Sequence, residues 1–122
     1  MTARTAEIKL TVELDTDSLP SRITWEASDA RHEGAKRCQS MMLSVWDNES
    51  KTIAAIDLWT RETTVADMNV YFCELFHKMA DTYLRATKNT EVADSIHDFG
   101  NRFARTLGVR SAQLDLRGVD EC

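Results

Sequence analysis

Cys73, His77 and Asp81 stand at i, i+4 and i+8 in the stretch CELFHKMAD. On a helix that spacing stacks the three side chains one turn apart. A thiolate and an imidazole so placed are metal-ligand types. The stripe lies off the apolar side of its segment, and no fourth ligand is evident, so it reads as a solvated helix face. His97 near Asp94 and Asp98, and His32 near Asp29 and Glu33, read the same way, as polar surface groupings. Asp57 differs, because it sits inside an apolar run between Ile56 and Leu58. A carboxylate in such a site can be a perturbed acid, but the preferred reading is that a neighbouring Arg or Lys answers it. There is no GxSxG, HExxH or P-loop pattern, and the four glycines are scattered and cradle no phosphate. No catalytic residue, cofactor or metal is assigned, and the protein is expected not to be an enzyme.

The elements that carry these residues follow from periodicity. In EIKLTVELD, Ile8, Leu10, Val12 and Leu14 alternate with polar residues, the signature of a half-buried strand. TDSLPS is a loop punctuated by Pro20, and RITWEA alternates again through Ile23, Trp25 and Ala27. The two runs predict an antiparallel hairpin. SDARHEGAKR reads as a loop with at most one helical turn. A third strand is expected from about Met41 to Asp47, then a DNES turn, then a fourth in TIAAIDLWT.

Helical signals follow. Thr64 with Asp67 resembles a capping box. Val65, Met68, Phe72, Leu75, Phe76, Met79 and Tyr83 form one apolar stripe. TKN breaks that helix. Asn89 or Thr90 caps a second, with stripe Val92, Ile96, Phe99, Phe103 and Leu107 and a Gly108 stop. The expected fold is α+β: a four-stranded antiparallel sheet of two hairpins, then two C-terminal α-helices. Residues 1–122 are expected to be a single domain with an ordered core over about 6–108 and a flexible tail over 109–122.

The second hairpin is unusual. If NESK is its loop, Val45 faces Ala54, Leu43 faces Ile56 and Met41 faces Leu58, an all-apolar face. A one-residue slip would mix the faces, so the pattern supports this register. On the opposite face Trp46 meets Ile53, Ser44 meets Ala55, Met42 meets Asp57 and Ser40 meets Trp59. Met42, Trp46, Ile53 and Trp59 therefore make an outer apolar patch, whereas the outer face of the first hairpin is polar throughout. Either a helix or the tail covers this patch within the monomer, or both helices pack on the inner face and the patch meets another chain. Tryptophan and methionine are enriched at such contacts, and pairing with an identical copy is the commonest route. A homo-oligomer is expected.

The chain of 122 residues carries 15 Lys and Arg against 20 Asp and Glu, a net charge of −5. That balance argues against nucleic acid and anionic membranes, which need a basic footprint. The three cysteines are an odd number without CxxC spacing, which suits reduced thiols in a cytoplasm. No apolar h-region opens the sequence. No run approaches the roughly 20 apolar residues of a membrane span.

The stretches EIKLTVELD, ITWEASD, MMLSVWD, IDLWT and MADTYLRAT, in this order and spacing, resemble the gliding motility protein GldC family. The likeness runs from about Glu7 to Gly108. It implies a small cytoplasmic protein associated with bacterial gliding, and brings no catalytic residues. The element order alone also resembles the SecB export chaperone fold, which implies tetramers and apolar client grooves.

Overall fold

The computed structural model describes residues 3–108; the flexible tail expected over 109–122 lies outside them. Five strands, β1 (Ile8–Leu14), β2 (Pro20–Ala27), β3 (Lys36–Cys38), β4 (Ser40–Trp46) and β5 (Ile53–Trp59), precede two helices, α1 (Val65–Thr87) and α2 (Thr90–Leu107). The chain divides at Thr63/Thr64 into a β unit and a helical unit.

The architecture is α+β, but the strands do not form one four-stranded sheet. They form a three-stranded antiparallel sheet, β1-β2-β3, and a two-stranded sheet, β4-β5. The difference lies at Gln39. Residues 36–46 run as one extended segment broken by a bend there. Before the bend Cys38 lies opposite Ile23 and Lys36 opposite Trp25. At the bend the Gln39 carbonyl accepts from Thr60 N–H at 2.9 Å and from Thr63 Oγ1 at 3.1 Å. Beyond the bend Ser40 lies opposite Trp59 and Met41 opposite Leu58. The segment thus exchanges β2 for β5.

In the three-stranded sheet Val12 lies opposite Ile23 and Leu10 opposite Trp25. Ile23 is fully buried, and Val12 and Trp25 are half-buried. The turn before β2 is built on Asp15. Its carboxylate accepts from Asp17 and Leu19 N–H at 2.8 and 3.1 Å. The Leu19 bond, with those from Asp17 and Arg61, holds the Asp15 carboxyl below the usual carboxylate range.

In the helical unit Thr64 closes the expected capping box. Its Oγ1 accepts from Asp67 N–H at 3.0 Å, and the Asp67 carboxylate accepts from Thr64 N–H at 3.3 Å. Helix α1 stops at Lys88, whose φ of 62° is left-handed, and α2 starts at once on Asn89. Gly108, φ 71°, ends α2 in the conformation a glycine adopts without strain.

The two helices form an antiparallel pair whose closest seam is not the large apolar stripe. The fully buried residues are Cys73, His77 and Ala80 on α1 and Ala93, Gly100 and Ala104 on α2. Small side chains let two backbones approach closely, so they take the centre of the contact. The phenylalanines flank that seam: Phe76 stands edge-on to Phe99 and Phe103 at centroid distances of 5.0 and 5.1 Å.

Candidate interaction surface

Hairpin β4–β5 has the register its pattern predicts, from Ser40 opposite Trp59 to Trp46 opposite Ile53. The turn is closed by Asp47. Its N–H donates to Thr52 O at 2.9 Å. Its carboxylate accepts from Ser50 N–H at 2.8 Å, Ser50 Oγ at 2.9 Å and Glu49 N–H at 3.2 Å. The Ser50 bonds dominate and hold this carboxyl below its ordinary range.

Met42, Trp46, Ile53 and Trp59 all lie on one face, and all are exposed, at 46%, 70%, 66% and 58%. The other face does not become a core either. Met41 and Leu58 are half-buried, but Val45 and Ile56 are 53% and 55% exposed. Both faces of this hairpin carry large apolar side chains. Single exposed apolar residues need no explanation, but a contiguous patch does. At the end of β5 the surface dips into an open cleft of about 240 Å³, lined by Leu19, Pro20, Leu58 and Trp59 with Asp57, Thr60 and Arg61.

The polar candidates fall differently. Asp57 lies opposite Met42 and is exposed. The expected Arg or Lys is absent: among the described residues no ion pair reaches Asp57, and Arg61 pairs with Asp15 at 3.0 Å. His32 stands edge-on to Trp25 with centroids 4.7 Å apart, while Asp29 is held by Arg4 at 3.1 Å, so the two are not turned to one ligand. Burial raises the Cys38 thiol above its ordinary value, which keeps it protonated and unreactive at neutral pH.

Cys73 and His77 do not line a solvated face; they are 0% and 2% exposed in the helix seam. His97, also expected at the surface, is half-buried there. The two imidazoles stack with centroids 4.8 Å apart, and their Nδ1 atoms approach to 2.6 Å. One proton must lie between those nitrogens, since two would clash and none would leave lone pairs opposed. Asp81 Oδ1 lies 3.4 Å from His97 Nε2, so the carboxylate faces the outer nitrogen of His97 while the inner nitrogen shares its proton with His77. The underside of the His77 ring rests on Gly100, where a Cβ would fall 3.1 Å from Nε2. A polar Asp81–His97–His77 chain thus fixes the register of the helix pair. The partnership of His97 and Gly100 with His77 escapes a reading of each helix alone. Its available signal is small-residue spacing: Cys73 to Ala80 and Ala93 to Gly100 are both two turns. Among the described residues no group of three or more His, Cys, Asp or Glu is placed to hold a metal ion.

These features define a small α+β protein with large apolar side chains on its second hairpin. Among the described residues no helix is long and apolar enough to cross a membrane. The profile of the GldC-like family, described as gliding motility-associated protein GldC-like, matches residues 20–109. The chain belongs to that family. The match spans β2 through α2 and so includes the apolar hairpin and the histidine seam. Comparison with curated proteins and with solved structures returned no match.

Proposed function

We propose that this protein is a non-enzymatic accessory or adaptor of the gliding apparatus, acting in the cytoplasm by self-association and protein–protein contacts. Met42, Trp46, Ile53 and Trp59 form the contact surface. The observation that carries this reading is the exposure of two tryptophans, an isoleucine and a methionine on one face of the β4–β5 hairpin. Aromatic and methionine side chains of this kind anchor protein interfaces. The family description supports the link to motility, and the odd cysteine count without CxxC spacing supports a reducing compartment. Light scattering on a sizing column tests the reading. The native chain is expected to run as a dimer or larger, and Trp46→Glu is expected to lower that mass while far-UV circular dichroism stays unchanged. An unchanged mass in the folded variant sinks the assignment of this face.

A second reading is a SecB-like chaperone that holds extended apolar segments of clients. The exposed apolar residues of the helical unit, Met79, Phe99 and Leu107, favour it. An unfolded model client should then aggregate more slowly in the presence of the protein. Aggregation at the normal rate counts against it.

A further inference from the structure

Strand β5 has a second unused resource besides its side chains. Thr52 O accepts from Asp47 N–H, and Thr60 N–H donates to Gln39 O. Antiparallel strands direct the main-chain groups of successive residues to opposite edges. The even-numbered residues of β5 therefore bond β4, and Ile53, Ala55, Asp57 and Trp59 direct their N–H and C=O groups to the other edge. Among the described residues β5 pairs with β4 alone, so that edge is open along the strand. Exposed edges are normally blunted by lysine, proline, bulges or charge. The outer strand of the other sheet, β1, follows that rule with Lys9 and Glu13 and a register shift at Glu13/Leu14. The sequence of β5, IAAIDLW, has Asp57 as its one charge.

Building on the self-association reading, we propose that β5 pairs antiparallel along this edge with β5 of a second copy, about a two-fold axis at Ile56. The strand is complementary to itself in that register. Ile53 bonds Trp59 of the second copy and Ala55 bonds Asp57, each pair repeated by symmetry, so every edge-directed residue from 53 to 59 finds a partner. Trp59 packs beside Ile53, which repeats across the axis the Trp46–Ile53 pairing already present in the hairpin. Asp57 faces Ala55, whose methyl leaves the carboxylate room to reach water. Other registers are worse. An axis at Asp57 sets two carboxylates directly opposite each other. An axis at Ala55 drops Trp59 from the ladder. The opposite edge of residues 36–46 is not equivalent, because β2 occupies it at Lys36 and Cys38. Pairing makes a continuous β4-β5-β5-β4 sheet and joins the two apolar patches into one.

The test is on the full chain, with two variants. Ala55→Pro removes an edge-directed donor and spares the ladder to β4. Its mass by light scattering is expected to fall to half that of the native protein. Ile56→Cys places two thiols at a non-hydrogen-bonded pair on the axis, where Cα atoms lie about 4.5 Å apart, within disulfide reach. Mild oxidation is expected to join the introduced thiols at position 56 of two chains, identified by peptide mapping. Ala54→Cys, which faces Leu58 of the second copy, is expected not to join to itself. If the native protein associates but Ala55→Pro keeps the native mass and position 56 does not cross-link, edge pairing is overturned and the face-mediated reading survives. A monomeric native protein overturns both.

Discussion

Gly100→Ala sets two opposed effects against each other with comparable size. In an ordinary helix interior the change gains about 1 kcal/mol, because alanine restricts the unfolded chain and favours the helix. Here the added methyl would lie 3.1 Å from Phe76 Cβ, 3.1 Å from His77 Nε2 and 3.4 Å from His77 Cε1. Neither neighbour yields easily. Phe76 Cβ is tied to the α1 backbone, and the His77 ring is held by its hydrogen bond to His97. Inserting a methyl into a packed contact costs about 1–3 kcal/mol. The expected balance is a net loss of about 1 kcal/mol, roughly 0.5 M in urea midpoint for a domain with an ordinary m-value. Circular dichroism at 222 nm follows the helices. Tryptophan fluorescence does not, since Trp25, Trp46 and Trp59 all lie in the β unit. His77→Ala removes two of the three close contacts, so in that background the cost of Gly100→Ala should shrink by at least about 0.5 kcal/mol. A raised midpoint for Gly100→Ala would show that the seam is slack and that the glycine is not there for close approach. Strict additivity with His77→Ala would remove the imidazole from the account.

Other expectations follow from single contacts. His97→Ala removes the Nδ1–Nδ1 hydrogen bond to the buried His77, and should cost about 1–3 kcal/mol in helix-unit stability, measured by the same denaturation; a neutral result would contradict the shared proton. Asn89→Ala deletes the side chain that accepts from Val92 N–H at 3.1 Å and should lower the urea midpoint by an amount worth about 1 kcal/mol. The Asp47 carboxyl is held below its unfolded range by Ser50 and Glu49, so its contribution is fully present above about pH 4 and is lost as pH falls through the folded value. Asp47→Asn should therefore flatten the acid limb of a hairpin stability profile read by tryptophan fluorescence, leaving neutral stability to report the loss of charge alone.

Both hairpins and both helix starts were legible because each is a local pattern. The β4–β5 register follows from which slip would mix apolar and polar side chains. Thr64, Asn89 and Gly108 are cap residues whose side chains or backbone freedom do their work within three or four positions. The sheet break was not legible. Lys36–Cys38 is too short for a period and too polar to look like a strand, and Gln39 bends because of what Thr60 and Thr63 offer it from across the chain. The helix seam was hidden for a related reason. Periodicity ranks faces by apolar size, and so points to Phe72 and Phe76. Packing ranks them by how closely two backbones can come, and so selects Cys73, Ala80, Gly100 and Ala104. His77 takes its place there only through His97, twenty residues away, which no reading of α1 by itself contains.

The parity of apolar positions bears on the proposal that the apolar hairpin mediates assembly. A strand that packs on one side needs apolar residues at alternate positions only, and β1 and β2 keep polar residues on their outer face. In β4 and β5 the apolar residues occupy both parities: Val45 and Ile56 on one face, Trp46, Ile53 and Trp59 on the other. A two-stranded ribbon has little stability by itself in water, and the exposed aromatic area works against solubility. Polar substitution at positions 46, 53 and 59 would relieve that while leaving the main-chain ladder in place, at the cost of cross-strand pairs such as Trp46–Ile53. Their presence is accounted for when those side chains are out of water in the working state. The register that brings Trp59 against Ile53 of a second copy does this with the strand's own residues, and it uses the open edge and the apolar face together.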